Sequence, residues 1–293
     1  MNIKIKILYI VLSLLFVIVP VFQVEAMTIV VNPPQEPMQI GKTSLINIIL
    51  SNRDQAKEIN TLEGIVKISA PNDVVAITTG GSIFNLWPTK PSLNNNEISF
   101  TGGTQSGVFG STLKIFTIAI KPQTSEDIRI DFQNVNAYLS NGVGTKVAVS
   151  GLPLNIPVSE VVSEDNELDD LISLDTQSPQ SFEIDLGRDP NLYDGKYFIS
   201  FYATDNESGI KKYEVKETGY PLVRSGSIYI LQNQSLSGEV EVRAIDNAGN
   251  QRIKTVSLQN SIPWTRVIFA ILVLYLIGIL VGKIFKTTRK RDV

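Results

Sequence analysis

Short β-strand segments separated by turn residues make up most of this chain, and they constrain its fold more than any other feature. Between residues 27 and 149 no stretch keeps the 3.6-residue period of an amphipathic helix. Runs rich in Ile, Val, Phe and Thr recur instead, as in strands. The predicted strands are Thr28–Val31, Ser44–Leu50, Leu62–Ser69, Val74–Thr78, Glu97–Thr101, Thr112–Ile120, Ile128–Val135 and Lys146–Val149. This succession predicts an all-β fold with a two-sheet β-sandwich over residues 27–157.

One run in this region resembles the early strand of cohesin domains, because a glycine, Gly41, opens a strand that ends at the polar turn Ser51-Asn52. Further cohesin-like runs follow in the same order along the chain, at residues 59–68, 72–75, 96–103 and 110–118. The resemblance spans residues 28–150. It implies a jelly-roll sandwich of the carbohydrate-binding-like superfamily that binds a protein, such as a dockerin, or a polysaccharide. Cohesins often carry a Tyr-Asp pair after the second strand, where this chain has Ser69-Ala70-Pro71, so no dockerin-contacting residue is transferred.

An acidic segment, residues 158–177, follows the predicted sandwich. It contains Glu160, Glu164, Asp165, Glu167, Asp169, Asp170 and Asp175 and no basic residue. Because like charges repel one another, we expect an extended, solvated linker here. A short helix over residues 168–174 and a weak calcium-collecting strip are the alternatives, although the spacing does not reproduce the Asp, Asn and Gly pattern of a calcium loop.

Strand patterns resume over residues 178–260. The predicted strands are Phe182–Leu186, Tyr197–Ala203, Ile210–Lys216, Ser227–Leu231, Glu239–Ile245 and Arg252–Leu258. Their number and the length of the segment predict an immunoglobulin-like sandwich.

Two related turns interrupt these strands. The first contains Asp205 and Gly209, and the second contains Asp246 and Gly249. Asp bonds its own main chain and Gly accepts positive φ, so we expect structural, turn-forming roles for all four residues. The turns resemble the Ala-x-Asp-Asn-x-x-Gly turns of bacterial surface immunoglobulin-like domains, which implies a spacer. No metal ligand or cofactor is assigned, and calcium binding by Asp205 or Asp246 is the alternative.

Both ends of the chain carry apolar segments. Residues 1–26 have the layout of a secretory signal peptide, with Lys4 and Lys6 before an apolar run. Residues 263–285 are predicted to form a single transmembrane helix, which Gly278 and Gly282 could pack against a second copy. The basic tail, residues 286–293, marks the cytoplasmic side. The prediction is therefore a single-pass membrane protein whose N-terminal bulk is extracellular.

Composition excludes several function classes. The chain has no His and no Cys, which removes Ser-His-Asp triads, Cys nucleophiles and most zinc sites. Residues 27–262 carry 18 basic and 27 acidic residues, so nucleic acid, which needs a basic surface, is not an expected partner. Carboxylate-based chemistry survives as the enzymatic alternative, a carbohydrate-active extracellular protein.

Trp87 is the candidate ligand-binding residue. It lies in the run Phe84-Asn85-Leu86-Trp87-Pro88, which is predicted to be a loop. An exposed aromatic ring there could stack on a sugar, whereas a buried one would cap the end of the sandwich. The favoured function is a non-enzymatic surface protein that displays a cohesin-like binding domain. A purely structural envelope or adhesion component is the first alternative.

Overall fold

The computed structural model describes residues 27–54, 57–259 and the pair 272–273. The predicted signal peptide, the cytoplasmic tail with residues 286–293, and the glycine pair Gly278 and Gly282 lie outside the described residues. The predicted transmembrane helix also lies outside them, apart from Leu272 and Val273, which are helical. Within the described part of the chain, no helix combines the length and the apolar character needed to cross a membrane.

The described residues divide into two compact units. The first contains the chain up to Ser181 together with Tyr202–Lys211 and Ile245–Gln251. The second contains Phe182–Phe201, Lys212–Ala244 and the chain from Arg252 onward. Both are built mostly from β-strands, as predicted.

The strands of the first unit correspond to all eight predicted ones and add five others, one of them nine residues long. They are β1 (Thr28–Asn32), β2 (Met38–Ile40), β3 (Ser44–Asn52), β4 (Ile59–Ile68), β5 (Val74–Thr78), β6 (Leu86–Asn94), β7 (Glu97–Val108), β8 (Gly110–Ile120), β9 (Ile128–Leu139), β10 (Lys146–Ala148), β11 (Ser150–Leu152), β12 (Leu154–Ile156) and β13 (Val158–Val162). A helix, α1 (Glu167–Leu174), follows.

Two sheets of the first unit enclose one hydrophobic core. The first sheet has the order β11-β1-β3-β8-β5, and the second has the order β10-β9-β4-β7-β6, with β12 also paired to β9. Burial alternates residue by residue along β3, as expected for a strand with one face on a core. Phe100 of β7 packs edge-on against Phe116 of β8, with 5.3 Å between ring centroids, which joins the two sheets. The first unit is therefore a β-sandwich.

The acidic segment differs from the expected solvated linker. β13 pairs in parallel with β2, and the Asn166 side chain caps α1 by accepting two backbone N–H bonds. The Glu167 carboxylate accepts a bond from the Leu45 N–H at 3.0 Å and lies 3.1 Å from the Lys42 ammonium. Partners from the sandwich thus compensate part of the charge that was expected to keep the segment extended.

The second unit contains two smaller sheets. Its strands are β14 (Ile184–Arg188), β15 (Tyr197–Phe201), β16 (Ile210–Glu217), β17 (Val223–Ser225), β18 (Ile228–Ile230), β19 (Ser237–Asp246) and β20 (Gln251–Gln259), with the ends of β16, β19 and β20 counted in the first unit. The sheet orders are β14-β15-β18 and β17-β16-β19-β20. Phe201, Val215 and Val242 are fully buried, so this unit has a core of its own.

Candidate functional site

A groove on the outer face of the second sheet of the first unit is the first candidate site. It is open to solvent, has a volume of about 460 Å³, and is called the outer groove below. Its lining residues come from the five strands β4, β6, β7, β9 and β10. They are Glu63, Gly64, Ile65, Thr89, Ser99, Phe100, Thr101, Asn134, Asn136 and Lys146. Most of these side chains carry a hydrogen-bonding group, so the groove is suited to recognising a polar partner.

A β-bulge shapes this groove. The pairing between β4 and β9 shifts register after Glu63, so that Glu63 faces Asn136 whereas Ile65 faces Gln133. Asn134 lies in the inserted stretch and adopts a φ of 53°, a left-handed conformation that Asn tolerates better than most residues. Ile128 and Ile130 face the core before the bulge, whereas Val135 and Ala137 do so after it, and this shift leaves Asn134 and Asn136 on the outer face.

Glu63 organises one end of the outer groove. Its carboxylate accepts a hydrogen bond from the Tyr138 hydroxyl at 2.7 Å and from the Asn136 amide at 3.3 Å. The Lys146 ammonium lies 3.5 Å from the same carboxylate oxygen. The hydrogen bond to Glu63 raises the pKa of Tyr138, with burial and the negative charge of Glu63 adding to it. These contacts hold Glu63 in place, half-exposed, as a fixed acceptor.

Trp87 occupies a different position from the predicted one. It lies on β6 rather than in a loop. The ring is half-buried and packs edge-on against Phe84, with 5.9 Å between centroids. A Cβ added at Gly102 would lie 2.8 Å from the Trp87 ring, so the glycine leaves room for it. Trp87 is thus a packing residue at the border of the core.

The second candidate site is a cluster of three buried carboxylates in the first unit. Asp175 follows α1, Asp205 lies in the turn after β15, and Asp246 ends β19. One oxygen from each lies within 4.8 Å of the others. Their exposed fractions are 4%, 4% and 0%. This arrangement is called the aspartate cluster below.

The two turns noted in the sequence bring the aspartate cluster together. Gly209 and Gly249 adopt φ of 85° and 94°, conformations that favour glycine. The Asn247 side chain joins the turns by donating to the carbonyl oxygens of Ser208 and Gly209, at 2.7 and 3.0 Å. The Asn250 side chain donates to the Asp175 carbonyl oxygen at 3.0 Å. The turn residues therefore position the carboxylates.

The side-chain bonds of the aspartate cluster come mainly from backbone N–H groups. Asp205 Oδ2 accepts from Glu207 and Gly209, at 3.0 and 2.7 Å. Burial raises the pKa of Asp205, and the charges of Asp175 and Asp246 add to the rise, while its hydrogen bonds oppose it. The pKa of Glu207 is raised as well, by burial and by the charges of Asp175 and Asp205. The cluster is therefore a site of concentrated negative charge.

The sequence placed two of these three aspartates in related turns and assigned the third, Asp175, to the linker. It also did not single out Ser208, whose side chain is 1% exposed, or Glu63 at the outer groove. The spacing of residues along the sequence could not predict that Asp175 joins this cluster, because Asp205 and Asp246 lie far away along the chain.

No protein-family model matches the chain, and no curated protein matches it. Several solved structures do. A non-cellulosomal cohesin from the archaeon Archaeoglobus fulgidus has a TM-score of 0.38 and 15% identity over 46% of this chain and 92% of its own. The cohesin module of a family 33 glycoside hydrolase from Clostridium perfringens has a TM-score of 0.37 and 12% identity, over 46% and 98%.

A type I cohesin from Clostridium thermocellum, solved in complex with a dockerin, has a TM-score of 0.38 and 12% identity, over 46% of this chain and 95% of its own. TM-scores this low do not establish a shared fold, so the first unit is assigned as a β-sandwich from its strand pairing. These three solved structures are all cohesin modules.

Proposed function

We propose that this protein is a non-catalytic binding protein that holds a protein partner in the outer groove of its first unit, outside the cell. The observation that carries the proposal is the groove itself, an open cleft of about 460 Å³ on the solvent face of a rigid sheet. Sheets provide a fixed platform, so their exposed side chains keep a defined spacing for recognition.

The chemistry of the outer groove favours a partner with hydrogen-bond donors and small apolar groups. Glu63 supplies a fixed carboxylate acceptor, and Thr89, Ser99 and Thr101 supply hydroxyl groups. Ile65 provides apolar surface between them, whereas Phe100 is buried beneath the groove. A protein segment offers both kinds of group, and interfaces of this mixed character are common.

The edge of the same sheet is less suited to binding an extended strand. β6 is an edge strand and carries Pro88 and Pro91, which have no N–H group to donate. Partner recognition by strand addition needs such backbone donors. The proposed contact is therefore through the sheet face.

A polysaccharide is the weaker choice of partner. Sugar rings are commonly held on an exposed aromatic face. Trp87, the candidate platform, packs against Phe84 at the border of the core. A dockerin is one protein class to test, because the sequence resembles cohesins.

The remaining parts of the proposal concern how the first unit is held at the cell surface. Residues 263–285 would anchor the chain in the membrane, with residues 27–260 outside and the tail in the cytoplasm. The second unit is proposed to be an immunoglobulin-like spacer. Its two small sheets and its own core support that proposal. A chain that ends at residue 260 should move from the membrane fraction to the soluble fraction, and retention in the membrane would contradict the anchor.

Binding is tested with purified dockerin modules and soluble polysaccharides as probes, by calorimetry on the full chain in detergent. Ser99→Arg places a bulky cation in the outer groove. Ser111→Arg makes the same change at an exposed position of β8 in the other sheet. We expect Ser99→Arg to weaken protein binding at least about tenfold, since a side chain of this size blocks close packing, and Ser111→Arg to preserve it. Equal loss in both variants, or binding of polysaccharide alone, would overturn the proposal.

A further inference from the structure

The aspartate cluster contains buried polar atoms without partners. Asp246 Oδ1 accepts a bond from the Asn250 N–H at 2.8 Å, but Asp246 Oδ2 has no hydrogen-bond partner. The Ser208 hydroxyl also has none. These are the two orphan side-chain atoms found among the described residues, and both belong to this part of the molecule. A buried carboxylate oxygen without a partner is costly, so native proteins rarely leave one unsatisfied.

The cluster also lacks a positive partner from the protein. Within residues 27–54 and 57–259, no Lys or Arg forms an ion pair with Asp175, Asp205 or Asp246. Buried charges are normally paired or bound to a metal ion. Three carboxylates within 4.8 Å of one another would repel strongly without such a counter-charge. A cation from solution would supply this missing counter-charge.

The ligand atoms select the kind of cation. All three candidate ligands are carboxylate oxygens, which hard cations prefer, and the chain has no Cys thiolate and no His imidazole to offer a softer cation. Mg²⁺ keeps several of its waters, whereas Ca²⁺ readily replaces them with protein oxygens in an irregular, flexible geometry. A fully buried carboxylate such as that of Asp246 leaves little room for water.

From these observations we infer that Asp175, Asp205 and Asp246 bind one Ca²⁺ ion, with the Ser208 hydroxyl beside it. Backbone N–H groups already hold Asp175 and Asp205 in place, at Gln177, Ser208, Glu207 and Gly209. The ion therefore meets carboxylates that are oriented before it arrives, which lowers the entropic cost of binding. Bound Ca²⁺ would fasten the turns 202–211 and 245–251 to the end of α1.

The test uses the full chain in detergent, after removal of divalent ions with EDTA. Calorimetry with Ca²⁺ should show one ion per chain with a Kd of about 1 mM or lower, within the range of extracellular calcium modules. The melting temperature should rise by roughly 3–6 °C at ten times the Kd, and Mg²⁺ should produce a smaller rise at the same concentration. An absence of both heat and melting shift at about 5 mM Ca²⁺ would overturn the inference.

Asp246→Asn is the decisive variant, because it retains an acceptor for the Asn250 N–H and removes the orphan charge. It should weaken Ca²⁺ binding at least tenfold, which corresponds to about 1.4 kcal/mol. Asp170→Asn makes the same change at an exposed position of α1 and should bind Ca²⁺ like the natural chain. Natural affinity in Asp246→Asn would refute the site.

A second measurement needs no variant. Hydrogen exchange of the natural chain should slow in peptides covering residues 202–211 and 245–251 when Ca²⁺ is added, while peptides covering β4 and β7 should exchange as before. Ca²⁺ binding with protection confined to other segments would place the ion elsewhere and overturn the inference.

Discussion

Glu217 in the second unit and Asp246 in the first are both buried carboxylates, with exposed fractions of 1% and 0%. Glu217 accepts bonds from the N–H groups of Gln232 and Asn233, at 2.8 and 2.7 Å, and from the Tyr229 hydroxyl at 3.2 Å. Both of its oxygens are therefore satisfied by the protein. Asp246 has one oxygen with no partner and two further carboxylates nearby.

This difference separates a structural carboxylate from a ligand-binding one. Glu217 organises the turn after β18, and its donors come from the same unit. Charge-assisted hydrogen bonds of this kind stabilise a buried carboxylate without any other partner. The aspartate cluster leaves Asp246 Oδ2 without a donor, and a bound cation would supply the missing counter-charge. The number of donors, rather than burial, distinguishes the two sites.

The largest expected effect tests the structural role of Glu217. Glu217→Ala leaves two backbone N–H groups and the Tyr229 hydroxyl without their acceptor, and should lower the free energy of unfolding by about 3–5 kcal/mol. Glu239→Ala, at an exposed position of β19, should change it by no more than about 0.5 kcal/mol. Urea unfolding followed by circular dichroism measures both. Glu217→Ala should still show the rise in melting temperature on addition of Ca²⁺. If that rise were lost, the two sites would not be independent.

The next prediction concerns Gly80, which contacts the turn that carries Asp205. A Cβ at this position would overlap the Glu207 carbonyl oxygen, so Gly80→Ala must displace the turn. We expect a loss of about 1–3 kcal/mol in stability, as for other overpacked sites, and weaker Ca²⁺ binding. Gly226→Ala meets no atom within 4 Å and serves as the control. Calorimetry should show weaker Ca²⁺ binding, and thermal melting should show lower stability, in Gly80→Ala but not in Gly226→Ala. Natural Ca²⁺ affinity in that variant would contradict the role of the turn.

The stability of the protein at alkaline pH tests the surroundings of Glu217, with a smaller expected effect. Burial and the neighbouring Glu217 carboxylate raise the pKa of Tyr229 to about 12. Between the ordinary pKa of about 10 and this value, the folded state keeps a proton that the unfolded state loses. Stability should therefore fall as pH rises through this interval. Tyr229→Phe should reduce that fall, at a cost of about 0.5–1.5 kcal/mol near neutral pH.

Urea midpoints between pH 9 and pH 12 would measure the effect. An unchanged slope in Tyr229→Phe would show that the tyrosine does not contribute to the pH dependence.

The smallest expected effect concerns Ser208. Because its buried hydroxyl has no partner, Ser208→Ala should leave stability within about 1 kcal/mol of the natural value when EDTA is present. With Ca²⁺ present, the variant should be less stable than the natural chain by a similar amount. Thermal melting in the two solutions measures the difference. A strong destabilisation in EDTA would mean that the hydroxyl already has a partner in the metal-free protein.

Much of the strand pattern could be predicted from local sequence. β5 has the predicted bounds, and β3, β8 and β9 differ from prediction only at their ends. Alternating apolar residues specify strands because every second side chain faces the core. The short strands β11, β12 and β17 were missed, because three-residue segments carry too little pattern to be distinguished from turns. The nine-residue strand β6 was missed as well, because its two prolines are typical of loops.

The candidate sites depended on information that the local pattern does not contain. The sequence identified Asp205 and Asp246 as turn residues, since Asp and Gly have intrinsic preferences for turns. It placed Asp175 in a solvated linker, because an isolated acidic run is extended by its own repulsion. Hydrogen bonds from Ser208 and Asn250, far along the chain, hold Asp175 in the aspartate cluster instead.

The sequence by itself determined the all-β class, the positions of most of the longer strands, the two glycine-containing turns and the exclusion of His- and Cys-based chemistry. Only the tertiary structure decided that Trp87 packs against the core, that the acidic segment folds onto the first sandwich, and that three distant aspartates lie together. The reason is that strand and turn preferences are local, whereas the burial of a side chain depends on contacts with residues far away in the sequence.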